Sequence, residues 1–279
     1  MRLDESLNAS SGVYFDGTLI DSLRTPYQLI EVFETPALGK LLRIDGANMT
    51  SERDEFFYHE NLVHPAAIAH PAPRSVLIVG GGDGGSSEEI LKHATVERVV
   101  LAELDQGVID IARKHFRSVH HDVFANPKLD VRITDGAAFI RMSADRFDLI
   151  YLDLTDPVGP AEALYTQDFY RDCRRALAAG GALVAHIGSP FSQPARVATS
   201  VSNLRAVFAH VAPYFVHIPS YGAVWGFAVA SDVLDIGSMD SPEIDHRLKN
   251  RGVADRQYYD GQTHQAILDL PGYIKRLIG

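Results

Sequence analysis

Residues 75–90 read SVLIVGGGDGGSSEEI, and this stretch decides the fold. Four apolar residues precede a glycine-rich turn, and the residues after the turn favour a helix. A strand, a tight glycine turn and a helix bind nucleotides in doubly wound sheets, because the turn offers backbone N–H groups to a phosphate. Gly80, Gly82 and Gly85 have the spacing of a dinucleotide-binding turn. Asp83 is unexpected there, because a carboxylate repels a phosphate.

Strand-like and helix-like segments alternate after this turn. The predicted strands cover 75–81, 98–105, 129–136, 147–156 and 181–188. The predicted helices cover 85–93, 106–116, 137–143 and 166–181. Such alternation predicts an α/β fold with a parallel, Rossmann-like doubly wound sheet. Ligands of such sheets bind beyond the carboxyl ends of the strands.

The N-terminal part of the chain has a different pattern. Short β-branched or aromatic runs over 13–20, 27–35 and 40–46 are separated by turn residues such as Asp-Gly. We therefore predict a small N-terminal β-domain over residues 1–55 and a Rossmann-like catalytic domain over residues 56–279.

Two helices are predicted outside the alternating region. One begins at Ser51, which is a helix-capping residue type followed by acidic residues, and Pro65 is expected to kink or restart it. Strand-like runs over 214–221 and 225–231 then lead to a helix over 264–278.

The overall composition excludes several classes of function. The 279 residues carry a net charge of −10, which disfavours nucleic acids and anionic membranes as partners. The single cysteine, Cys173, is expected to be a small buried residue and excludes an internal disulfide, which fits a reducing compartment. The first 12 residues lack the apolar core of a signal peptide, and no apolar run approaches the ~20 residues of a membrane span. We therefore expect a soluble, cytoplasmic protein.

Acidic residues at two strand ends indicate an adenosine-type ligand. Glu103 ends the second predicted strand at a distance from the glycine turn that suits an acceptor for both ribose hydroxyls. Asp135 ends the third strand and can accept a hydrogen bond from the adenine amine, while Gly136 lets the ring approach the backbone. Asp135 is also suited to cap the following helix, and both roles can hold together.

Asp83 argues against a dinucleotide. Two like charges about 4 Å apart repel by roughly 4 kcal/mol at an effective dielectric of ~20. A nucleoside that carries a positive charge avoids this repulsion. S-adenosyl compounds carry a sulfonium ion, and S-adenosylmethionine-dependent methyltransferases share this general architecture.

Two more acids lie at the end of the fourth predicted strand. Asp153 and Asp156 disfavour joint ionisation unless a cation lies between them. A Mg²⁺ or Ca²⁺ ion is one interpretation, since hard cations prefer oxygen ligands. An organic polyammonium compound is the other, and the composition does not choose between them.

The order of several motifs resembles the spermidine synthase family of polyamine aminopropyltransferases. The matching segments are YQ at 27–28, TSERDEFFYHE at 50–60, VLIVGGGDGG at 76–85, ELD at 103–105, DG at 135–136, LDLTDPVGPAEALYT at 152–166, IPSY at 218–221 and YYDGQTH at 258–264. The resemblance implies transfer of an aminopropyl group from decarboxylated S-adenosylmethionine to an amine, usually putrescine, which yields spermidine and methylthioadenosine. It implies no metal and no redox cofactor, and assembly into homodimers or homotetramers.

The resemblance also implies roles for individual residues. Asp153 would accept the proton, and Asp83 would hold the aminopropyl ammonium of the donor. The implied nucleoside-binding residues are Gln28, Glu103, Asp135, Gly136 and Pro160. The implied amine-binding residues are Tyr58, His59, Asp83, Asp153, Asp156 and Tyr221. Taken without the resemblance, His59 and Tyr221 would be interpreted as packing residues.

The sequence departs from the family pattern at four places. Met49 replaces a usual Gln, Glu88 replaces a usual Arg, and Asp260-Gly261 replaces Asn-Pro. We expect Glu88 to face solvent, where an acid in a first helical turn is favourable. The segment 186–188, His-Ile-Gly, replaces a Gln that often has a nearby acid, and this removes an anchor for the far end of putrescine. The acceptor therefore stays open among putrescine, cadaverine, agmatine, spermidine and other amines.

Three other functions compete with aminopropyl transfer. An S-adenosylmethionine-dependent methyltransferase would have to accept the donor carboxylate close to Asp83. A non-catalytic polyamine-binding or nucleoside-binding homologue would not need all five strand-end acids. An NAD-dependent oxidoreductase is disfavoured by the charge of Asp83.

Overall fold

The computed structural model of the protein describes residues 1–157 and 159–279, except the side chains of residues 159 and 160. The N-terminal residues form two antiparallel sheets. The six strands are β1 (Arg2–Asn8), β2 (Ser11–Asp16), β3 (Thr18–Arg24), β4 (Leu29–Thr35), β5 (Gly39–Ile44) and β6 (Ala47–Ser51). β1 pairs with β2, and the other four form a sheet in the order β3-β4-β5-β6. The turn from β5 to β6 has positive φ angles at Asp45 and Gly46, as a tight two-residue hairpin requires.

A seven-stranded sheet forms the centre of the remaining chain. Its strands are β7 (Ser75–Gly80), β8 (Arg98–Glu103), β9 (Leu129–Ile133), β10 (Phe147–Asp153), β11 (Leu177–Gly188), β12 (His210–Ile218) and β13 (Ala223–Ser231). The order is β12-β13-β11-β10-β7-β8-β9, with β7 to β11 parallel and β12 and β13 antiparallel. The predicted α/β, Rossmann-like sheet is confirmed. The strand order reverses between β7 and β10, and such a switch point opens a crevice for ligands.

Helices cover both faces of this sheet. They are α1 (Glu55–Ala69), α2 (Gly85–Leu91), α3 (Gln106–His115), α4 (Arg117–His120), α5 (Gly136–Met142), α6 (Gln167–Ala176), α7 (Pro194–Arg205), α8 (Ser241–Asn250), α9 (Gly261–Leu268) and α10 (Gly272–Ile278). Alternate residues of β7 point to opposite faces, so that Ile78 belongs to one buried cluster with Leu62 of α1 and Leu77 to another with Phe169 of α6. Two buried cores result, and they hold the strand ends in fixed positions. None of the described helices is long and apolar enough to cross a membrane.

The helix before the parallel sheet differs from its prediction in two ways. Ser51 belongs to β6, and α1 begins at Glu55 after Asp54, to which the Ser51 hydroxyl donates at 2.5 Å. Helix α1 also continues through Pro65 without a restart. Proline has no N–H for the carbonyl four residues earlier. The hydroxyl of Tyr214 donates to that carbonyl, on Asn61, at 2.8 Å and so replaces the missing bond.

Three other features of the element order differ from their predictions. Helix α6 ends at Ala176 and β11 begins at Leu177, whereas the prediction extended the helix to residue 181. Gly180, with φ +84°, lies within β11 beside a register shift, because the strand must bulge before it pairs regularly with β10. The predicted C-terminal helix is divided into α9 and α10 just before and after Pro271, and β1 was not predicted.

Candidate functional site

A cleft of about 530 Å³ lies at the carboxyl ends of the parallel strands, beside the switch point. It brings together the predicted residues Gln28, Tyr58, His59, Asp83, Glu103, Asp135, Gly136, Asp153, Asp156 and Tyr221. The side chain of Pro160 lies outside the part of the chain that the structure describes. Residues 28 and 221 come from distant parts of the chain, so the cleft depends on the complete sheet and on the N-terminal strands.

The glycine turn allows three chain segments to approach one another. The N–H of Gly81 donates to the carbonyl of Asp153 at 2.8 Å, and a Cβ on Gly80 would collide with the same carbonyl. Gly80 and Gly81 both have positive φ angles. A Cβ on Gly85 would collide with the ring of His59, which shows why the start of α2 carries glycine. The turn thus lies against both β10 and α1.

Asp83 belongs to a buried chain of charged groups. One of its carboxylate oxygens accepts from the N–H of Gly85 at 3.0 Å, and the other lies 3.5 Å from Nε2 of His59. Nδ1 of His59 lies 2.8 Å from the carboxylate of Glu55. Burial opposes charge on the imidazole, but the two carboxylates raise the pKa of His59 well above its usual value. Burial alone would raise the pKa of Asp83, but the imidazolium lowers it below its usual value.

The pKa of Asp153 is shifted in the opposite direction to that of Asp83. Burial and the nearby charge of Asp83 raise its pKa to about 6. Hydrogen bonds from Ser86, at 2.7 Å, and from Tyr58 oppose this rise. A carboxyl group that titrates near 6 can act as a general base close to neutral pH. The two aspartates at this end of the cleft therefore have pKa values shifted in opposite directions.

The region predicted for the ribose contains a second acidic pair. Glu103 accepts from the N–H of Asp105 at 2.9 Å, and burial raises the pKa of Glu103 to about 7. Asp105 accepts from the side chains of Gln28 at 3.0 Å and Thr25 at 2.6 Å. This contact fixes Gln28, from the loop before β4, at the edge of the cleft. Asp105 itself was not among the predicted site residues.

Asp135 and Gly136 lie where the adenine was expected. Asp135 caps α5 by accepting from the N–H of Ala138 at 2.9 Å, and it lies exposed at the edge of the cleft. A Cβ on Gly136 would collide with Val79 of β7. Glycine is therefore required by the packing of α5 on the sheet, whatever binds in the cleft.

Aromatic residues form the wall opposite the acids. The rings of Tyr58 and Tyr221 lie 6.2 Å apart between centroids, and Tyr221 lies 5.1 Å from Trp225. The hydroxyl of Tyr221 donates to the carbonyl of Met49 at 2.9 Å. Burial and Asp153 raise the pKa of both tyrosines well above the usual value, so they remain neutral.

Asp156 has a partner that the sequence analysis did not identify. Nη1 of Arg196, from α7, lies 2.7 Å from the Asp156 carboxylate. Arg196 also donates to Nδ1 of the buried His186 at 3.2 Å. Arg196 therefore connects Asp156 with the segment 186–188 that departs from the family pattern.

The remaining departures from the family pattern lie in different surroundings. Glu88 was expected to face solvent, but its side chain is only 16% exposed and lies 3.0 Å from Lys92. That expectation was wrong, because α2 packs its first turn against neighbouring charges. Asp260 accepts from the N–H of Thr263 at 2.7 Å and caps α9.

Four partners of the predicted residues were missed. They are Glu55, Ser86, Asp105 and Arg196. Two of them had a local signal, because Glu55 precedes His59 by one helical turn and Asp105 follows Glu103 by two residues. Ser86 and Arg196 reach their partners only through the tertiary fold.

The reactive end of the cleft has the chemistry of a cation site. One ligand atom from each of His59, Asp83 and Asp153 lies within 4.8 Å of the other two. The imidazole is already bound between two carboxylates, so that an incoming ammonium would find Asp83 and Asp153 as its acceptors.

Sequence comparisons place the chain among known proteins. The model of the spermine/spermidine synthase domain matches residues 55–237. The polyamine aminopropyltransferase of Nitrosomonas europaea is 48% identical over 98% of this chain and 85% of that protein. Polyamine aminopropyltransferase 1 of Pseudomonas aeruginosa is 37% identical over 94% of this chain and 91% of that protein.

Structural comparisons agree. A crystal structure of a spermidine synthase in complex with the transition-state analogue AdoDATO superposes with a TM-score of 0.94 at 32% identity, over all of this chain and 95% of the other. The spermidine synthase of Thermotoga maritima superposes with a TM-score of 0.90 at 31% identity, over all of this chain and 94% of the other. The chain belongs to the spermine/spermidine synthase family.

Proposed function

We propose that the protein is a polyamine aminopropyltransferase that transfers the aminopropyl group of decarboxylated S-adenosylmethionine to putrescine or a related amine. The observation that carries this proposal is the carboxylate of Asp83 inside a nucleoside-type glycine turn. That position favours a cationic group and disfavours a phosphate. Family membership and the similarity to named aminopropyltransferases support the same conclusion.

The donor would bind along the switch point. Gln28, Glu103, Asp135 and Gly136 would hold the nucleoside, with Glu103 accepting from the ribose hydroxyls. Asp83, kept ionised by the His59 imidazolium, would bind the terminal ammonium of the aminopropyl chain. Unmodified S-adenosylmethionine has an additional carboxylate, which would approach Asp83 and be repelled.

The transfer step needs an unprotonated amine. The nitrogen lone pair attacks the carbon next to the sulfonium, the C–N bond forms, and the C–S bond breaks with its electron pair going to sulfur. Methylthioadenosine leaves as a neutral thioether, and the new secondary amine loses a proton. Asp153 would accept a hydrogen bond from the amine, orient its lone pair and take this proton.

The acceptor site around Asp153 would be completed by Tyr58, His59, Asp156 and Tyr221. The two tyrosines supply an apolar wall for the methylene chain. No metal or redox cofactor enters this scheme, because the sulfonium already makes the carbon electrophilic. We expect activity to be unchanged after incubation with EDTA followed by desalting.

One assay tests the proposal against its alternatives. The protein is incubated with either decarboxylated or unmodified S-adenosylmethionine and a panel of amines, and the nucleoside products are separated chromatographically. Methylthioadenosine formed only from the decarboxylated donor, with an alkylated amine in equal amount, is the expected result. S-adenosylhomocysteine would instead indicate a methyltransferase, and binding without turnover would indicate a non-catalytic homologue.

We also infer that the enzyme works as a homodimer or homotetramer in the cytoplasm. The edge strand β3 exposes Leu19 and Ile20, which are 44% and 42% accessible. A sheet edge with exposed apolar residues favours association with a second chain. The buried, unpaired thiol of Cys173 is compatible with a reducing compartment.

A further inference from the structure

The acceptor end of the cleft continues into a smaller chamber, which we call the annex. It has a volume of about 50 Å³ and shares Met49, Tyr58, Asp156 and Tyr221 with the main cleft. Its far wall is formed by Glu5 of β1, the end of β11 and the aromatic ring of Trp225. An acceptor amine whose near nitrogen meets Asp153 would place its other end toward this chamber.

Arg196 provides a positive charge at the border of the annex. Its guanidinium group lies 2.7 Å from Asp156 and 3.2 Å from Nδ1 of His186. It also lies 5.4 Å from the ring centre of Trp225 and 5.5 Å from that of Tyr165, within cation–π range of both. These contacts involve four different side chains, and the side chain of Arg196 is only 13% exposed.

His186 contributes no charge of its own. The hydroxyl of Tyr165 donates to the carbonyl of Thr155 at 2.9 Å, so at the 2.6 Å contact with Nε2 of His186 the imidazole is the donor. Nδ1 is then the acceptor that faces Arg196, which requires a neutral ring. Burial and the charge of Arg196 lower the pKa of His186 to about 3, in agreement with this assignment.

The second acid of the annex is also opposed by an arginine. The carboxylate of Glu5 accepts from the N–H of Asn48 at 2.7 Å and lies 3.9 Å from the guanidinium of Arg43. Burial raises the pKa of Glu5 to about 7, and the charge of Asp156 adds to this effect. Two acids therefore face two arginines in and around the annex, so these four groups carry no net negative charge.

We propose that Arg196 is a specificity-determining residue of the acceptor site, because it occupies the carboxylate of Asp156 that would otherwise bind the second ammonium of a diamine. This inference depends on the proposed aminopropyl transfer. A second ammonium must either displace the guanidinium from Asp156 or bind at a chamber without net negative charge. The enzyme therefore discriminates only weakly between a diamine and a monoamine of the same length, and it disfavours acceptors with more ammonium groups, such as spermidine.

The test compares putrescine with n-butylamine, which has the same chain length but lacks the second ammonium. The kcat/KM for putrescine is divided by the kcat/KM for n-butylamine, and this ratio is measured for the wild type, Arg196→Gln and Arg196→Lys. Glutamine keeps a donor for His186 but removes the charge, so we expect the ratio to rise by about tenfold, mainly through the KM for putrescine. Lysine keeps the charge and should leave the ratio close to that of the wild type. Arg171→Gln, on the exposed face of α6, is the matched control and should change neither value.

Two results would overturn the inference. One is a ratio in Arg196→Gln that stays within twofold of the wild type, even if both kcat values fall, because a purely structural role affects both amines equally. The other is an equal rise in Arg196→Lys, which would exclude the charge as the cause. Thermal unfolding of each variant shows whether the fold is kept.

Failure of the proposed function gives a different result. If the wild type forms no methylthioadenosine with any amine, the reaction is wrong, whatever the variants do. The charge argument is then decided by calorimetry of putrescine and n-butylamine binding in the presence of methylthioadenosine. Equal affinity ratios in the wild type and Arg196→Gln would reject it, and a rise of about tenfold in the variant would support it.

Discussion

The carboxyl group of Asp153 lies next to a second acid whose charge is compensated by an imidazolium. Asp83 keeps its charge because His59 and Glu55 support it, and this charge makes ionisation of Asp153 harder. A donor with a sulfonium and an ammonium would reverse this effect, since both positive charges favour the ionised form of Asp153. Binding of the donor thus prepares the base for the amine.

Replacement of the base should separate chemistry from binding. We expect Asp153→Asn to lower kcat by about 10² to 10⁴, because asparagine cannot take the proton, while the Kd of methylthioadenosine changes by less than about threefold. Single-turnover assays and calorimetry provide the two values. Asp168→Asn, at a side chain that is 93% exposed, is the control. Turnover of Asp153→Asn close to that of the wild type would remove Asp153 from its role.

The pH dependence of kcat and kcat/KM should report the ionisation of Asp153. We expect kcat/KM for the donor to decrease as the pH is lowered through about 6, because Asp153 becomes protonated in the free enzyme. The acidic limb of the kcat profile should lie at lower pH, because the bound donor favours the ionised form of Asp153. Ser86→Ala removes a hydrogen bond to the ionised carboxylate and should move both limbs to higher pH. A limb that moves to lower pH in Ser86→Ala would contradict the assignment.

Single residues could be predicted where they end a strand. Glu103 and Asp153 follow apolar runs directly, Asp83 follows one after three glycines, and the carboxyl ends of parallel strands converge on one edge. Arg196 could not be predicted, because it lies in the first turn of α7, a helix that the sequence pattern did not identify. The charge states could not be predicted either, since burial determines them.

At the scale of elements, α1 connects the N-terminal strands with the sheet and carries Tyr58 and His59 into the cleft. Its interior proline would leave the carbonyl of Asn61 without a partner. Tyr214, on the antiparallel strand β12, supplies that partner from 153 residues away in sequence. The antiparallel edge of the sheet therefore supports the helix on which two predicted site residues lie.

A double-mutant cycle tests this support. Tyr214→Phe should lower the free energy of unfolding by about 1 to 3 kcal/mol, because a buried carbonyl loses its partner. In the Pro65→Ala background the helix supplies its own N–H, and the cost of Tyr214→Phe should fall to less than half. Urea unfolding gives the four values. Equal costs in both backgrounds would show that the hydroxyl acts elsewhere, and Tyr273→Phe at an exposed ring is the control.

Element types were predicted better than element ends. The alternation from β7 to β11 follows from apolar runs and helical spacing. The end of α6 was missed because ALAAGG suits either a helix end or an edge of a strand, and pairing with β10 decides between them. Strand β1 was missed because Leu3, near its start, is the only buried residue among its seven.

At the scale of the whole molecule, β3 is the exposed edge of the N-terminal sheet. We expect Ile20→Lys to convert a dimer or tetramer into smaller species, since a lysine on an edge opposes pairing with another chain. Light scattering coupled to size-exclusion chromatography measures the mass. Val233→Lys, at an exposed position away from this sheet, is the control. A wild-type protein that is monomeric at micromolar concentration would contradict the expected assembly.

The order of the strands also has a consequence for synthesis of the chain on the ribosome. Four of the five implied nucleoside-binding residues are translated before β10 is made, and Pro160 follows soon after that strand. The acceptor wall is complete only after Tyr221 has emerged, because β13 must insert between β11 and β12. A nascent chain therefore contains every implied nucleoside-binding residue well before it contains the last residue of the polyamine half.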